Sequence, residues 1–407
     1  MAKDPNPGKR AIPVEEHRAR IAALIGELPV IDLPVADCLG LVLAADLRSP
    51  VSLPPFDNSA MDGYAVRAAD LRGASADNPI ELPVAGDIPA GRTDAVTLAE
   101  GTALRIMTGA PLPAGADSVV QVEQTDGGTE RVQVFQAVPV GNHLRLLGED
   151  VVTGDTVLSA GTVLGPAHLG LAAAVGSATL PVRRPRVVVL STGSELVEPG
   201  RPLEPGQIYE SNGVMLASAV RAIGGVAEIL RFVPDDVTAF HTALAERLPG
   251  ADLLITSGGV SAGAYEVVKD ALTGQGVEFV RVAMQPGGPQ GAGRYQGVAV
   301  ATLPGNPVSS ALSFELFLRP TLLAAMGFTD ADRPTATARL AKGVRTPLGK
   351  RQYRRARYDT ESGLVDVVGG PGSHLLAALA ASNCLMVIPE EASELPDGAE
   401  VQVILLD

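Results

Sequence analysis

The strongest constraint on this 407-residue chain is a regular alternation of apolar runs and helix-periodic segments between Pro185 and Leu318. Residues 187–190 (VVVL), 227–233, 251–256, 277–282 and 298–302 read as strands. Between them, helices are expected at 214–223, from about Glu266 to Leu272, and at 308–318. A further helix should place Val237, Phe240, Leu244 and Leu248 on one face, capped by Asp235 or Asp236. Strand–helix repetition implies a doubly wound, mostly parallel sheet, whose ligands belong at the carboxyl ends of the strands. Asn306 and Pro307 have the residue types of an N-cap and a first helical position, and Pro320 should break or kink the last helix.

The flanks have a different texture. Residues 14–28 have helical spacing, and 167–175 return to helix-like composition. From about 54 to 150, short apolar stretches alternate with Gly/Pro turns, which is β-rich. Strands are expected again at 335–340, 351–358, 364–368, 384–388 and 400–405. The length exceeds one ordinary core. The division expected is a discontinuous N-terminal and linking domain (1–53 and 147–182), a β-rich inserted domain (54–146), the α/β domain (183–330) and a C-terminal β domain (331–407). Aromatics make up 3% and tryptophan is absent, so Val, Leu, Ile and Ala must build the cores.

Charge and cysteine usage narrow the function classes. A net charge of −14 argues against nucleic-acid or membrane-surface partners, so an anionic ligand would need a local positive cluster. Arg183, Arg184 and Arg186 form one basic cluster; Lys350, Arg351, Arg354, Arg355 and Arg357 form a denser one. Two cysteines, Cys38 and Cys384, without a C-x-x-C, fit a reducing cytoplasm better than a disulfide or zinc framework. No apolar run of about 18 residues could span a bilayer.

Three expected strand ends carry small, hydroxyl and glycine residues: Ser191-Thr192-Gly193-Ser194-Glu195, Thr256-Ser257-Gly258-Gly259-Val260-Ser261-Ala262-Gly263, and Leu303-Pro304-Gly305-Asn306-Pro307. Neighbouring strand ends cluster, so these loops should line one crevice, and Gly-rich backbone before a helix suits phosphate. Glu195, Glu266 and Asp270 are the carboxylates beside them. No G-x-G-x-x-G dinucleotide fingerprint or Walker A loop is present. Gly259, Ser261 and Gly263 also spell G-x-S-x-G, with His374 the sole downstream histidine, which leaves a serine hydrolase as a remote alternative. In the β-rich segment, Asp57-Asn58-Ser59-Ala60-Met61-Asp62-Gly63 reads either as an Asx-rich turn or as a carboxylate pair for metal or water.

Taken in order, DNSAMDGYAV (57–66), RIMTGAPLPAGADSVVQVE (105–123), GEDV (148–151), STGSEL (191–196), PGQIYESN (205–212), TSGGVSAG (256–263), LPGNPVSSAL (303–312) and GSHLLAALAASNCLMVIPE (372–390) resemble the molybdopterin molybdenumtransferase family, related to the gephyrin E domain. The resemblance implies a multidomain α/β plus β protein. Its central, doubly wound, mostly parallel α/β domain is of molybdopterin-binding type, joined by the β-rich inserted domain and a C-terminal β-barrel-like domain. It implies insertion of molybdenum from molybdate into adenylylated molybdopterin with release of AMP, Mg²⁺ as cofactor, and a cytoplasmic homodimer. An upstream adenylyltransferase and downstream apo-molybdoenzymes are further partners it suggests. Catalytic positions fall on Asp62, Thr108, Asp150 and Glu195, with Asp62 and Glu195 as Mg²⁺ ligands. Substrate-binding positions fall on Arg145, Ser191, Thr192, Gly193, Asp235, Asp236, Ser257, Gly258, Gly259, Ser261, Gly263, Glu266, Pro304, Gly305, Asn306, Pro307 and Ser373.

The chain departs from the family in one loop. Family members usually read K/Q-P-G-K-P and then F-G; here Gln285-Pro286-Gly287-Gly288-Pro289-Gln290-Gly291-Ala292-Gly293 lacks the lysine at Gly288 and the aromatic at Ala292. Such a loss raises an alternative, a molybdopterin-binding paralogue with little turnover that acts as carrier or scaffold. Arg294 is the candidate replacement cation.

Overall fold

The computed structural model describes residues 11–92, 94–232, 236–259 and 267–406, which divide into two compact units. The smaller comprises Pro34–Leu39 and Ala45–Leu180. Its main sheet holds β1 (Gly63–Val66), β2 (Ile80–Ile88), β3 (Ala103–Ile106), β4 (Ser118–Gln121) and β5 (Arg131–Val134), in the order β4-β1-β3-β2-β5. A bridge from Thr125, just past β4, back to Val134 on β5 curls the sheet toward closure. Side chains alternate across it: Tyr64 and Val66 join one core, Ala65 and Val119 another. Both faces are therefore buried along β1, β3 and β4, which read as apolar runs, whereas β2 and β5 keep an alternation of buried and exposed residues.

The larger unit carries the α/β alternation. Its elements are β6 (Arg186–Thr192), α1 (Asn212–Ala222), β7 (Val226–Phe232), α2 (Val237–Arg247), β8 (Leu253–Ser257), α3 (Val267–Leu272), β9 (Val277–Arg281), β10 (Pro289–Tyr295), β11 (Val298–Leu303) and α4 (Pro307–Ser313). The six strands order as β7-β6-β8-β11-β10-β9. Strand β6 is parallel to β7 and β8, and β8 to β11; β10 runs antiparallel between β11 and β9. The two sheet faces are separate cores. Val187 and Val189 pack with Leu216, Ala217 and Val220 of α1, while Val188 and Leu190 pack with Phe240 and Leu244 of α2 and Val268 of α3. This is the doubly wound, mostly parallel domain expected from the alternation. The chain leaves β6 for β7 on one side, then crosses to β8 on the other, so the topological switch lies at the carboxyl ends of β6 and β8.

The last 70 or so residues close a barrel. Strands β12 (Thr335–Leu340), β13 (Arg351–Asp359), β14 (Leu364–Val367), β15 (Cys384–Ile388) and β16 (Glu400–Leu405) pair as β13-β14-β12-β16-β15, and β15 returns to β13. Ala338, Ala356, Val365, Met386 and Val403 fill its interior. Met284–Gln285 pairs in parallel with the start of β13, so the loop after Gln285 hangs from the barrel edge.

Several local expectations are corrected. Asp236 caps α2, accepting from Ala239 N at 2.7 Å, but Val237 is exposed and only Phe240, Leu244 and the following Leu248 are buried. Asn306 occupies the N-cap of α4, yet its side chain makes no capping bond. Pro320 does not end the helical run. A π turn, Phe314–Leu318, absorbs the irregularity, and Pro320 sits in the first turn of a new helix, Arg319–Met326, where its missing N–H costs nothing.

Candidate functional site

A cavity of about 890 Å³ opens at the switch point, within the larger unit. Ser191, Thr192, Gly193 and Glu195 line it from the end of β6; Ser257, Gly258 and Gly259 from β8; Pro304, Gly305, Asn306 and Pro307 from β11. Ser373 and His374 line it from the loop before Leu376, and Gln285, Pro286, Gly287 and Pro289 from the loop that lacks the lysine. The loops are pinned to one another. Gly258 donates its N–H to Leu303 O at 3.1 Å, and Val308 N donates to Ser373 O at 3.1 Å. Gly258 has φ +96°, and a Cβ there would lie 2.9 Å from Thr192 O, so close approach of β6 and β8 requires glycine. The Glu195 carboxylate folds back over Gly193, where an added Cβ would come within 2.6 Å of it.

Two side chains at this cavity escaped the sequence reading. Glu210 is 4% exposed; its Oε1 accepts from Ser191 Oγ at 2.8 Å and from Gly213 N at 2.6 Å. Asn212 donates through Nδ2 to Ser257 Oγ at 2.8 Å and to Gly305 O at 2.6 Å, clamping three loops together. Glu210 Oε2 and Asn212 Oδ1 are buried and have no partner. Both residues stand in PGQIYESN; the signal available was a carboxylate and an amide at a helix start facing two Gly-rich loops.

The electrostatics are unusual for an anion site. Among the described residues lining the cavity there is no Lys or Arg; the charged groups are Glu195 and Glu210. Of the basic clusters, Arg183 binds Glu27 and Leu28 O, Arg184 binds Gly224 O, and Arg186 binds Pro249 O, so these three are spent on structure. Arg294 binds Gly297 O and Leu24 O and does not line the cavity. Arg355, 3% exposed, donates to Gly370 O, anchoring the chain just before Pro371–His374; its Nε is buried without a partner. Asp236 serves as the α2 cap and does not line the cavity, while Asp235, Ser261, Gly263 and Glu266 lie outside the described residues.

The remaining candidates lie in the smaller unit. Asp62 Oδ1 accepts from Thr108 N at 2.7 Å and from Thr108 Oγ1 at 2.8 Å. These two hydrogen bonds, the backbone one foremost, hold the Asp62 carboxyl below the usual carboxylate range. Asp57 accepts from Leu147 N at 2.7 Å, and Asn58 stands opposite Arg145 in a short ladder. Arg145 and Asp150 are exposed, with Asp150 N bonded to Leu53 O at 2.9 Å. Phe56, Leu146, Leu147 and Val152 are exposed near them in sequence. No group of three or more His, Cys, Asp or Glu suited to a metal occurs among the described residues.

Comparison with known proteins covers nearly the whole chain. Residues 12–176 match the MoeA N-terminal region (domain I and II), 188–324 a probable molybdopterin binding domain, and 337–406 the MoeA C-terminal region (domain IV). Molybdopterin molybdenumtransferase 2 of Mycobacterium tuberculosis is 54% identical over 96% of this chain and 98% of its own length. Molybdopterin molybdenumtransferase 1 of the same organism is 37% identical over 97% and 98%. A crystal structure of a molybdopterin biosynthesis MoeA protein from Pyrococcus horikoshii superposes with a TM-score of 0.75 at 32% identity, covering 98% of this chain and 100% of that one.

Proposed function

Because this chain belongs to the molybdopterin molybdenumtransferase family, we propose that its switch-point cavity binds adenylylated molybdopterin and that molybdenum from molybdate is inserted there with release of AMP. The observation that carries this reading is the convergence of the β6, β8 and β11 loops on one cavity of about 890 Å³, large enough for a nucleotide-sized ligand. Backbone N–H groups of these loops and the start of α1, which also lies in the cavity wall, supply positive potential for phosphate where no Lys or Arg among the described lining residues does. Arg355 is a buried cation outside the cavity lining, tied to Gly370 just before the Ser373 loop, and we assign it to positioning that loop.

Magnesium fits the residues present. Mg²⁺ usually takes one or two carboxylates and completes its shell with water and substrate phosphates. Glu195, exposed in the cavity, suits that role, and Asp62, whose carboxyl Thr108 orients and holds below the usual carboxylate range, suits it equally in its own unit. When bound, the ion would neutralise charge on the phosphoanhydride. The chain's own contribution is to orient the Asp62 carboxylate through Thr108, to hold Glu195 over Gly193, and to fix the ligand loops through Asn212. Thr108 and Asp150 we also assign to catalysis, and Arg145 to substrate binding.

We further assign a cytoplasmic homodimer. Cys38 and Cys384 are both buried, and no helix among the described residues is long and apolar enough to cross a membrane. Supporting self-association, the smaller unit exposes Phe56, Leu146, Leu147 and Val152 in stretches that hydrogen bonding brings together. An upstream adenylyltransferase and downstream apo-molybdoenzymes are the partners this role implies. The cation-poor cavity favours one second reading, a pterin-binding carrier with weak turnover. Reconstitution with adenylylated molybdopterin, Mg²⁺ and molybdate separates them. Multiple turnovers of AMP release, abolished by Glu195→Gln, support the transferase; tight binding with no release supports the carrier.

A further inference from the structure

Glu210 and Asn212 present a paired deficit that the loop-clamping role leaves unexplained. Glu210 is desolvated before any ligand arrives, and only Oε1 is satisfied, by a hydroxyl and a backbone N–H. Oε2 is buried and unpartnered. Asn212 has the same asymmetry. Its Nδ2 donates to Gly305 O, a carbonyl that can only accept, which fixes the amide orientation and leaves Oδ1 without a donor. Two residues apart and both lining the cavity, they offer two acceptors and no donor. A second cavity of about 280 Å³ shares Ser191, Leu196 and Glu210 with the first, so this carboxylate stands in a wall with ligand space on both sides. Leaving such acceptors unmet is costly, and a donor-bearing ligand would relieve that cost.

We propose that Glu210, with Asn212, is the specificity-determining element of the cavity and recognises a ligand edge that carries adjacent N–H donors, the cyclic-guanidine edge of a pterin. The assignment rests on the reading above that the cavity binds molybdopterin. An adenine edge alternates donor and acceptor and would set a ring nitrogen lone pair against one of these oxygens. The pterin edge offers a ring N–H beside an exocyclic amino group, two donors for two acceptors. A divalent cation matches less well. Glu210 already shares its charge with the Gly213 N–H at the start of α1, and an almost fully buried carboxylate leaves little room for the waters Mg²⁺ retains.

Binding of pterin and of lumazine, which replaces the 2-amino group with a carbonyl, tests this by fluorescence titration of the full chain. The wild type should prefer pterin by about tenfold or more, the discrimination of one lost buried hydrogen bond. Glu210→Gln, which substitutes a donor for the free acceptor, should erase or reverse the ratio, and Glu210→Asp should retain the preference. Equal wild-type affinities, or a ratio unmoved in a folded Glu210→Gln, overturns the proposal. So does Mg²⁺ binding that Glu210→Gln abolishes while the ratio stays constant. Adenylylated molybdopterin titrated in parallel separates the two levels: if it binds while the ratio is flat, only the Glu210 assignment falls, and if it does not bind, the pocket reading falls too.

Discussion

Replacing Gly288 with lysine tests whether a missing cation limits the chemistry. Gly288 lies between Gly287 and Pro289, both in the cavity wall, and its backbone is outside the left-handed region. A Cβ there would sit 3.3 Å from Val282 O and 3.6 Å from Met284 O. Only the first is tight, but Val282 N also donates to Gly288 O at 2.7 Å, so the two backbones move together and the strain should cost about 1 kcal/mol. The ammonium would meet an oxyanion in a cavity with no competing Lys or Arg among its described residues, and one charge-assisted hydrogen bond contributes about 1.5–3 kcal/mol. The strain is common to the free and ligand-bound protein and lowers Tm rather than affinity, so the gain of about 1.5–3 kcal/mol corresponds to a roughly 10- to 150-fold lower KM for molybdate. The assay is molybdate-dependent AMP release from adenylylated molybdopterin with Mg²⁺. Gly288→Met, with a similar stem and no charge, controls for packing. If the lysine and methionine variants both remain folded and share the wild-type KM and kcat, the cation does not limit turnover and the inference from Gly288 fails.

Three other outcomes follow from the geometry. His17 is fully buried, stacks edge-on to Phe317 at 4.8 Å, and has neither ring nitrogen partnered; burial first, then Arg20, pushes its pKa down to about 4. The unfolded chain therefore binds the extra proton between about pH 6.5 and 4, so stability is complete above 6.5 and falls by about 3 kcal/mol on acidification across that window. In urea titrations, the stability difference between wild type and His17→Leu should change by that amount; a pH-independent difference refutes it. Thr108→Val removes the hydroxyl but keeps the amide donor, so the Asp62 pKa should rise while staying below that of Thr108→Pro, as read by carboxyl NMR; no rise in Thr108→Val shows that the hydroxyl bond is not formed in solution. Gly258→Ala should cost roughly 2–4 kcal/mol, combining positive φ with a backbone clash. Gly274→Ala, at φ +74° in open space, should cost only about 1 kcal/mol, and equal losses would mean the β6–β8 contact is not tight.

What could be read in one dimension was the location of the strand ends, and the reason is physical. Strands such as β6 and β8 are covered on both faces, so they appear as unbroken apolar runs, and their loops stand out as the polar, glycine-rich residues that follow. That is why Ser191, Ser257 and Gly305 could be placed in one crevice beforehand. What could not be read was which side chain bonds across loops. Asn212 reaches Gly305 over 93 positions, and Arg355 holds Gly370 from a neighbouring barrel strand. Neither pairing leaves a periodic trace. Arg294 failed as the replacement cation for a similar reason: it is close to the altered loop in sequence, but strand β10 directs it to the carbonyls of Leu24 and Gly297. Val237 shares the helical spacing of Phe240 and Leu244 yet is exposed, because helical periodicity sets the direction of a face but not where the core's edge cuts the first turn. The same limit hid Glu210. As a lone carboxylate before a helix it reads as a solvated flank, and only its burial against Ser191 and Gly213 makes its free oxygen chemically significant. Loop chemistry thus located the cavity, while its selectivity depends on two acceptors whose unmet state exists only in three dimensions.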